Sequence, residues 1–552
     1  MDFEKEIKKI LKKELKQDIL LEVPPDTSLG DFAFPCFQLS PKLKKAPQEI
    51  AKELERKIKP NDYIEKVQAQ GPYLNFFINK KEFVKQTITT ILKQKDKYGS
   101  SKNKEKIMIE FSGPNPFKAF HIGHLRNTVL GESLTRVLQF QGYKVLPVNY
   151  LNDTGTHVSK CIWGLENLKL KPSGERGEWL GEVYAKADEK IGNDPPRLEQ
   201  VQEIHKKIEQ RDPKYLKAWK QGVKDSIIYF KKIYQDLEVK FNKTYFDSQY
   251  ISPGKSIVSS LLKKRIAEKS EGAILIDLEK YNLHKVLVLK SDQTSLYITK
   301  DLAMAIDRIK KYKIDKLVYI TGSEQKLHFQ QLFKILELYG FKQARKCYHL
   351  SYELVRLPEG RMASRKGKVI TYSEIKKELL SKIEKEVDKR HKNWDNKRKG
   401  KAIKTIFSSA IKFDLIKQGP EKIIIYSTDK ATELEGDTGP YVQYTHARIC
   451  SILRKEKPSK LTIGDLQTKE ENDLVLKLSG FPETVNKAAR EYKPHLIANY
   501  LIELSRQFNE FYHKIPVLQS KEKQDRLLLI KAVKQVISNG LGLLAIMAPE
   551  EM

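Results

Sequence analysis

Residues 106–150 contain the pattern that most restricts the fold of this chain. Lys106–Phe111 is an apolar run typical of a buried strand, and a loop rich in Pro, Gly and Asn follows it. Leu125–Gln141 carries apolar residues at helical spacing, and Gly142 suits the position just after a helix end. Val145–Tyr150 is a second strand-like run. Strand, helix and strand in about 45 residues predict a βαβ crossover and therefore a parallel sheet.

The chain of 552 residues is too long for one hydrophobic core, so we expect several domains. The predicted arrangement is a multidomain α/β plus all-α fold. It has a small amino-terminal α/β module over 1–98 and a parallel-sheet domain over 104–370. Strands at Lys285–Leu289 and Lys316–Ile320 continue that α/β pattern, and a charged helical insertion lies near 165–240. A helical connector over 371–435 and a helical domain over 436–552 complete the prediction.

The charge balance favours a polyanionic partner. Lys and Arg number 102 against 71 Asp and Glu, which leaves a net charge of +31. A Lys-rich proteome explains this excess equally well. The four cysteines form no CxxC pair, which argues against a zinc ribbon or a disulfide framework and fits a reducing compartment. Since no apolar run reaches 18 residues, we expect a cytoplasmic protein without a membrane partner.

The loop from Ser112 to His124 has the chemistry of a phosphate site. It leaves the carboxyl end of a predicted strand and enters a helix amino terminus, where free N–H groups and the helix dipole attract anions. His121 and His124 could donate to phosphate oxygens as charge develops, and Gly123 lets a ligand approach the backbone. Ordinary capping or core histidines would produce the same short pattern.

A second segment, Arg361–Lys368, reads Arg-Met-Ala-Ser-Arg-Lys-Gly-Lys. Its four cations could neutralise a leaving pyrophosphate, although a solvated or RNA-facing loop would read the same way. The chain has neither GxxxxGK[ST] nor GxGxxG, so these two segments are the best candidates for nucleotide binding.

His121–His124, reading His-Ile-Gly-His, and the later basic segment resemble the HIGH and KMSKS motifs of class I aminoacyl-tRNA synthetases. Further stretches narrow the resemblance to arginyl-tRNA synthetases. These stretches are Leu29–Ala33, Gly71–Asn75, Ser112–His121, Asn149–Gly155, Asp292–Asp301 and Gly436–Tyr444. The resemblance implies an additional tRNA-binding domain at the amino terminus, a Rossmann-like catalytic domain and a helical-bundle anticodon-binding domain. It covers nearly the whole chain.

The resemblance also implies roles for individual residues. Arginine is expected to contact Asn115, Asp247, Tyr297, Asp301 and Gln325, because a guanidinium group needs a carboxylate and a neutral acceptor or ring. Core packing for Tyr297 and a helix cap for Asp301 are the alternatives that the residues alone would favour. The residues expected at ATP are Phe120, His121, Gly123, His124, His328, Met362 and Ser364. The residues expected at tRNA are Phe32, Asn75, Tyr441, Gln443 and Arg448.

The sequence departs from the family pattern in three places. Asp247 stands where a Glu is usual, and Ala363 replaces the usual serine of the second motif. Ser364 occupies the place of the second lysine of KMSKS, and in arginyl enzymes a lysine just before HIGH supplies that charge. Lys118 takes this position here.

The implied reaction joins L-arginine to its cognate tRNA through an arginyl-adenylate and releases AMP and pyrophosphate. Lys118, His121 and His124 would stabilise the pentavalent phosphate, and Arg365 and Lys366 would hold the pyrophosphate. ATP would act with Mg²⁺ as a substrate complex. We expect no structural metal, and we expect a monomer.

The sequence alone leaves three other functions open. A non-catalytic tRNA-binding paralogue would lose phosphate-contacting residues, yet Lys118, His121, Gly123, His124 and Asp301 are intact. A class I synthetase for cysteine would need grouped zinc ligands, and the four cysteines are dispersed. A small nucleotidyltransferase sharing the HxGH loop would not need the helical carboxyl-terminal region.

Overall fold

A computed structural model describes residues 3–15, 19–22, 24, 26–356, 358, 370–459, 463–464, 466 and 468–552. The chain divides into two compact units. The first comprises Met1–Tyr98, Arg448–Phe481 and Glu503–Asn539, and the second comprises Gly99–Ala447, Pro482–Ile502 and Gly540–Met552. Residues of the predicted domain over 436–552 therefore contribute to both units.

The amino-terminal part of the first unit is an antiparallel sheet covered by helices. Its elements are α1 (Phe3–Leu15), β1 (Phe32–Pro35), α2 (Ser40–Leu43), α3 (Pro47–Lys57), β2 (Ile64–Gln70), β3 (Tyr73–Ile78) and α4 (Lys80–Gln94). The strands follow the order β1-β3-β2. Phe34, Leu74 and Phe76 from the sheet pack against Leu11 and Ile50 from the helices, as the period of the apolar residues requires.

A five-stranded parallel sheet forms the centre of the second unit. Its strands are β4 (Lys106–Glu110), β5 (Lys144–Leu151), β6 (Lys243–Phe246), β10 (Lys316–Gly322) and β11 (Cys347–Tyr352). They follow the order β11-β10-β4-β5-β6, with every neighbouring pair parallel. The predicted parallel sheet is confirmed. Strand order reverses beside β4, so the ends of β4 and β10 border a crevice of the kind that binds ligands.

Helix α5 (Ile122–Phe140) connects β4 to β5. It begins three residues before the predicted start, because His121 caps the helix with its ring nitrogen instead of lying in the loop. Gly142 has φ +85° and directly follows the helix end, as predicted. The HIGH residues therefore lie at the amino terminus of a buried helix, at the carboxyl edge of the sheet.

The predicted insertion is helical and has its own core. It comprises the end of α6 (Thr156–Asn167), followed by α7 (Arg176–Ile191), α8 (Pro195–Glu209) and α9 (Pro213–Asp236). Trp163, Trp179 and Ile204 are buried together with Phe117 from the loop after β4. This packing fixes the loop between β4 and α5 from the side of the insertion.

The prediction for Lys285–Leu289 was right about the strand but not about its sheet. It forms β9 of an antiparallel sheet with β7 (Glu268–Ser270) and β8 (Ala273–Asp277), in the order β7-β8-β9. A run of alternating apolar residues does not reveal its partner strands, because pairing is a long-range property. Three helices surround this region: α10 (Ile251–Lys263), α11 (Tyr297–Tyr312) and α12 (Lys326–Leu338).

From Thr371 onward the described chain is almost wholly helical, as predicted. Thr371 and Glu374 form a capping box that starts the first of these helices. The helices are α13 (Tyr372–Arg390), α14 (Asn396–Ile416), α15 (Thr428–Ala431), α16 (Gly439–Lys455), α17 (Lys469–Ser479), α18 (Phe481–Glu491), α19 (His495–Lys514) and α20 (Lys523–Leu543). Two short strands, β12 (Val355–Arg356) and β13 (Ile424–Ile425), pair in parallel. No helix among the described residues is long and apolar enough to cross a membrane.

Candidate active site

A cavity of about 580 Å³ opens at the carboxyl edge of the parallel sheet, and we call it the central cavity. The ends of β4, β10 and β11 and the amino terminus of α5 contribute to its walls. Eight residues predicted at ATP or arginine line it: Asn115, His121, Gly123, His124, Tyr297, Asp301, Gln325 and His328. The structure thus brings together residues from three separate stretches of the sequence, 115–124, 297–301 and 325–328.

The two HIGH histidines are stacked and neutral. Their ring centroids are 3.7 Å apart, and Nδ1 of His121 accepts a hydrogen bond from the Gly123 N–H at 3.1 Å. Nδ1 of His124 accepts from the His121 N–H at 3.3 Å. Burial, followed by the charge of Lys118, lowers the pKa of His121 to about 4, and burial, followed by His121 and Lys118, holds the pKa of His124 well below its usual value. Since Nδ1 accepts in both rings, the neutral tautomer keeps its proton on Nε2 as a donor.

Gly123 occupies a position with little room for a side chain. A Cβ at this residue would lie 3.0 Å from Cε1 and 3.1 Å from Nδ1 of His121. The ring of His121, which caps α5, would have to shift by a few tenths of an ångström. Glycine here therefore preserves the stacked arrangement of the two rings.

Asp301 and Tyr297 lie one turn apart at the start of α11. Asp301 Oδ2 lies 2.8 Å from His328 Nε2, and Tyr297 is 52% exposed. A carboxylate with an exposed tyrosine one turn away suits a guanidinium ligand, which needs an ionic acceptor and a flat surface. The short helical segment Ser323–Gln325 brings Gln325 to the same cavity.

Asp247 is held away from the central cavity. It is 0% exposed; Oδ1 accepts from the Tyr150 hydroxyl at 2.6 Å, and Oδ2 accepts from the Thr154 hydroxyl at 3.0 Å. Lys300 also donates to Oδ2. With these three partners, the carboxylate holds the wall residue Tyr150, and Asp247 does not itself line the central cavity.

Lys118 lies in a separate pocket of about 260 Å³. Lys118, Lys160, Lys290 and Lys300 line it, and we call it the lysine pocket. The Lys118 ammonium packs over the Tyr184 ring at 4.7 Å, and burial lowers its pKa. Tyr297 lines both this pocket and the central cavity, so the two spaces are neighbours.

Phe120 and the segment after the second motif meet at the start of α5. Phe120 is fully buried, and its carbonyl accepts from the Tyr372 N–H at 2.8 Å. The Ile122 N–H donates to the Ile370 carbonyl at 3.2 Å. The predicted residues Met362, Ser364, Arg365 and Lys366 lie outside the described residues, but the segment directly following them is bonded to the HIGH motif.

The predicted tRNA residues lie in two different surroundings. Asn75 is 4% exposed in β3, and Phe32 is half-buried in β1. On α16, the Gln443 amide is buried and donates to the carbonyls of Thr405 and Met547 at 3.1 and 2.8 Å. This burial gives Gln443 a structural role instead of the predicted RNA contact. Two further predicted residues on α16 are half-buried, namely Tyr441 and Arg448.

The sequence reading missed a buried ion pair beneath the central cavity. Glu110, at the end of β4, lines the cavity and binds Arg308, whose guanidinium also packs over the Tyr245 ring at 4.1 Å. Arg308 is fully buried. The only sequence signal was a carboxylate closing an otherwise apolar strand, and its partner is 198 residues away.

Comparison with known proteins now adds to this geometry. Residues 87–424 match the catalytic domain of class I (R) tRNA synthetases, so the parallel sheet and its HIGH helix are those of a class I aminoacyl-tRNA synthetase. Residues 442–552 match the DALR anticodon-binding domain, and residues 1–78 match the arginyl-tRNA synthetase amino-terminal domain. The chain belongs to the arginyl-tRNA synthetase family.

Individual relatives agree along their whole lengths. An arginine–tRNA ligase of Halothermothrix orenii is 37% identical over 571 residues, with 100% of both chains covered. One from Clostridium perfringens is 37% identical over 572 residues with the same coverage. The solved arginyl-tRNA synthetase of Thermus thermophilus superposes with a TM-score of 0.80 at 25% identity, covering 100% of this chain and 99% of that one.

Proposed function

We propose that this protein ligates L-arginine to its cognate tRNA through an arginyl-adenylate, giving arginyl-tRNA, AMP and pyrophosphate. The observation that carries the proposal is the central cavity, in which Asp301 and Tyr297 lie with the neutral HIGH histidines. One group of residues suits a guanidinium and the other suits a phosphate. Family membership and the names of the full-length relatives support the same activity.

In the first step, the arginine carboxylate attacks the α-phosphate of ATP and pyrophosphate leaves. Asp301 accepts the guanidinium, with Tyr297 and Gln325 beside it, and Asn115 holds the backbone groups of arginine. The Nε2–H groups of His121 and His124 donate to the α-phosphate as negative charge develops. Each ring donates a hydrogen bond from Nε2 and keeps its proton, so positioning carries the step.

ATP enters as its Mg²⁺ complex, which is the substrate form. No group of three or more His, Cys, Asp or Glu side chains suited to a metal occurs in the part of the chain that the structure describes. The ion would therefore be held chiefly by the phosphates. Arg365 and Lys366 keep their predicted role of neutralising the leaving pyrophosphate.

In the second step, a hydroxyl of the terminal ribose of tRNA attacks the adenylate. The lysine pocket supports this part of the proposal, because it adjoins the central cavity through Tyr297 and is lined by Lys118 and Lys290, together with Lys160 and Lys300, whose charges are offset by Asp188 and Asp247. A cationic pocket of this kind fits the phosphates of a single-stranded RNA end. Lys118 belongs to this pocket in the structure, and it would reach the ATP phosphates only after leaving the Tyr184 ring.

We further propose roles for the two tRNA-binding modules, an oligomeric state and a cellular compartment. The modules over 1–98 and 436–552 bind the body and the anticodon of the cognate tRNA, with Phe32, Tyr441 and Arg448 as contacts. The protein acts as a monomer in the cytoplasm. Light scattering of the free protein and of its tRNA complex tests the oligomeric state.

Arginine-dependent exchange of pyrophosphate into ATP, measured with and without arginine tRNA, tests the activity. We expect exchange with arginine and not with lysine or cysteine, and a stronger signal with tRNA, as the family implies. A chain that charges tRNA with another amino acid would contradict the proposed substrate. A chain that binds tRNA but supports no exchange would be a non-catalytic paralogue.

A further inference from the structure

Arg126 is a fully buried arginine whose guanidinium contacts carbonyl oxygens of the backbone. Nη1 donates to the Glu353 carbonyl and, at 3.3 Å, to that of Leu354. Nη2 donates to three more carbonyls at 3.0 to 3.4 Å, those of Gly419, Pro420 and Lys422. The guanidinium also lies 5.5 Å from the centroid of the Tyr352 ring. Burial lowers its pKa only to about 10, so it stays charged at neutral pH.

These carbonyls belong to two segments that are far apart in sequence. The first follows β11 and the second follows α14, and they are joined by a bond from the Glu353 N–H to the Pro420 carbonyl at 2.8 Å. Beyond this bond, β12 and β13 pair. Leu354 and Val355, in the first segment, line the central cavity. The guanidinium therefore holds the crossing of two chains at the point where one of them becomes a wall of the site.

Arg126 lies on α5, directly after the HIGH residues at the start of that helix. Its neighbour Asn127 receives the Ser112 N–H at 2.6 Å and donates to the Tyr352 hydroxyl at 3.2 Å. One helix thus presents the two imidazoles to the cavity and, through Arg126 and Asn127, also binds the end of β11 and the segment after it, which line the cavity. The distance between the imidazoles and this wall is set by side chains of α5.

The chemistry of arginine suits this position. A guanidinium group has five donors in a rigid plane, and it can reach acceptors on two segments at once. A lysine has three donors on a flexible stem and would satisfy fewer of the five carbonyls. Leaving these buried carbonyls without donors would allow the wall to shift, and a displacement of about 1 Å can reduce a rate by about 100-fold.

We propose that Arg126 is a positioning residue for adenylate formation, which sets the wall of Leu354 and Val355 at the working distance from His121 and His124. This inference rests on the proposed function of the central cavity. Because the wall is bound by the helix that carries the imidazoles, whereas the guanidinium is expected at Asp301 and Tyr297 of α11, Arg126 governs the use of ATP and not the binding of arginine.

Steady-state pyrophosphate exchange with full-length Arg126→Lys and Arg126→Ala, in the presence of tRNA, tests the proposal. We expect kcat/KM for ATP to fall by about 10- to 100-fold in Arg126→Ala and by less in Arg126→Lys. The KM for arginine should stay within about twofold of the wild-type value, as expected when one half of the site is displaced. Arg136→Lys is the matched control, because Arg136 is on the same helix and also donates to carbonyls, those of Gly542 and Glu238.

Equal increases in the KM values of ATP and arginine, or unchanged kinetics with only a lower melting temperature, would overturn the proposal. Loss of folding in both Arg126 variants would also overturn it, since Arg126 would then be a residue of general stability. Calorimetric titration of each variant with ATP separates this inference from the proposed function. A wild type that binds ATP but shows no arginine-dependent exchange refutes the ligase, whereas weaker ATP binding by Arg126→Lys still supports the positioning role.

Discussion

Asp247 and Asp301 are two carboxylates of one neighbourhood that are held in opposite ways. Asp247 is buried with three protein donors, whereas Asp301 lines the central cavity with His328 as its described partner. Lys300, which binds Asp247, precedes Asp301 in the sequence, and burial, followed by the charge of Asp301, raises the pKa of Asp247. Two neighbouring residues of α11 therefore differ in function. Lys300 belongs to a buried ion pair, which we call the closed pair, and Asp301 is a carboxylate that lines the central cavity, which we call the open carboxylate. A carboxylate whose oxygens accept hydrogen bonds from several protein donors holds neighbouring residues in place, whereas a carboxylate with acceptor capacity left can bind a substrate.

Breaking the closed pair should have the largest effect. Asp247→Asn leaves the Lys300 ammonium buried without its counter-charge, and we expect the free energy of unfolding to fall by about 3–5 kcal/mol. Chemical denaturation measures this change. The double variant Asp247→Asn with Lys300→Met should lose less than the sum of the two single variants.

An exposed pair provides the control for this comparison. Asp277 and Lys285 are 3.6 Å apart, and each side chain is about half exposed. Asp277→Asn should change stability by less than about 1 kcal/mol. If Asp247→Asn were equally mild while the KM for arginine rose strongly, Asp247 would contact arginine, as the family resemblance implies.

Removing the open carboxylate should affect activity and leave stability nearly unchanged. Asp301→Asn keeps the shape and the contact with His328 but removes the charge that the guanidinium needs. We expect transition-state stabilisation to fall by about 2–5 kcal/mol, measured as kcat/KM for arginine. The KM for ATP should change little. Asp307→Asn is the control on the same helix, because Asp307 binds the Tyr250 hydroxyl and does not line the cavity.

The sequence predicted the parallel sheet and the helix α5 because their signals are local, whereas the eight predicted residues that line the cavity came from the family resemblance. Apolar runs and the spacing around Gly142 specify β4, α5 and β5, and the motif residues follow once the strand ends are known. The ion pair of Asp247 and Lys300 was harder to predict from the sequence, because the two residues are 53 residues apart. The roles of Asp247 and Lys118 came from the family resemblance and stay predictions, and neither residue lines the central cavity. The directions of their side chains depend on Tyr150 and Tyr184, which sequence spacing does not reveal.

Lys118 is predicted to bind a substrate phosphate, but in the structure it packs over the Tyr184 ring. Its removal should therefore reduce activity by less than removal of the Asp301 charge. If it reaches the α-phosphate in the transition state, Lys118→Ala should cost about 2–4 kcal/mol in the kcat of pyrophosphate exchange. Lys160→Ala is the control in the same pocket, because Lys160 is paired with Asp188 at 2.5 Å. The Lys160→Ala variant should raise the KM for tRNA without lowering kcat. A kcat for Lys118→Ala within a few-fold of wild type would assign Lys118 to the lysine pocket alone.

The smallest expected effect is the pH dependence of the free energy of unfolding that the buried side chain of His157 causes. His157 lines the lysine pocket, and burial, followed by the charge of Lys118, lowers its pKa to about 3. Since its unfolded value is near 6.5, the unfolded chain binds a proton between these values that the folded chain does not. Stability from this residue is therefore complete above about pH 6.5 and is lost as the pH falls, by about 2 kcal/mol between pH 6.5 and 5. His157→Gln should lose less stability than wild type over this interval, and parallel pH profiles for the two proteins would show that His157 is open to solvent.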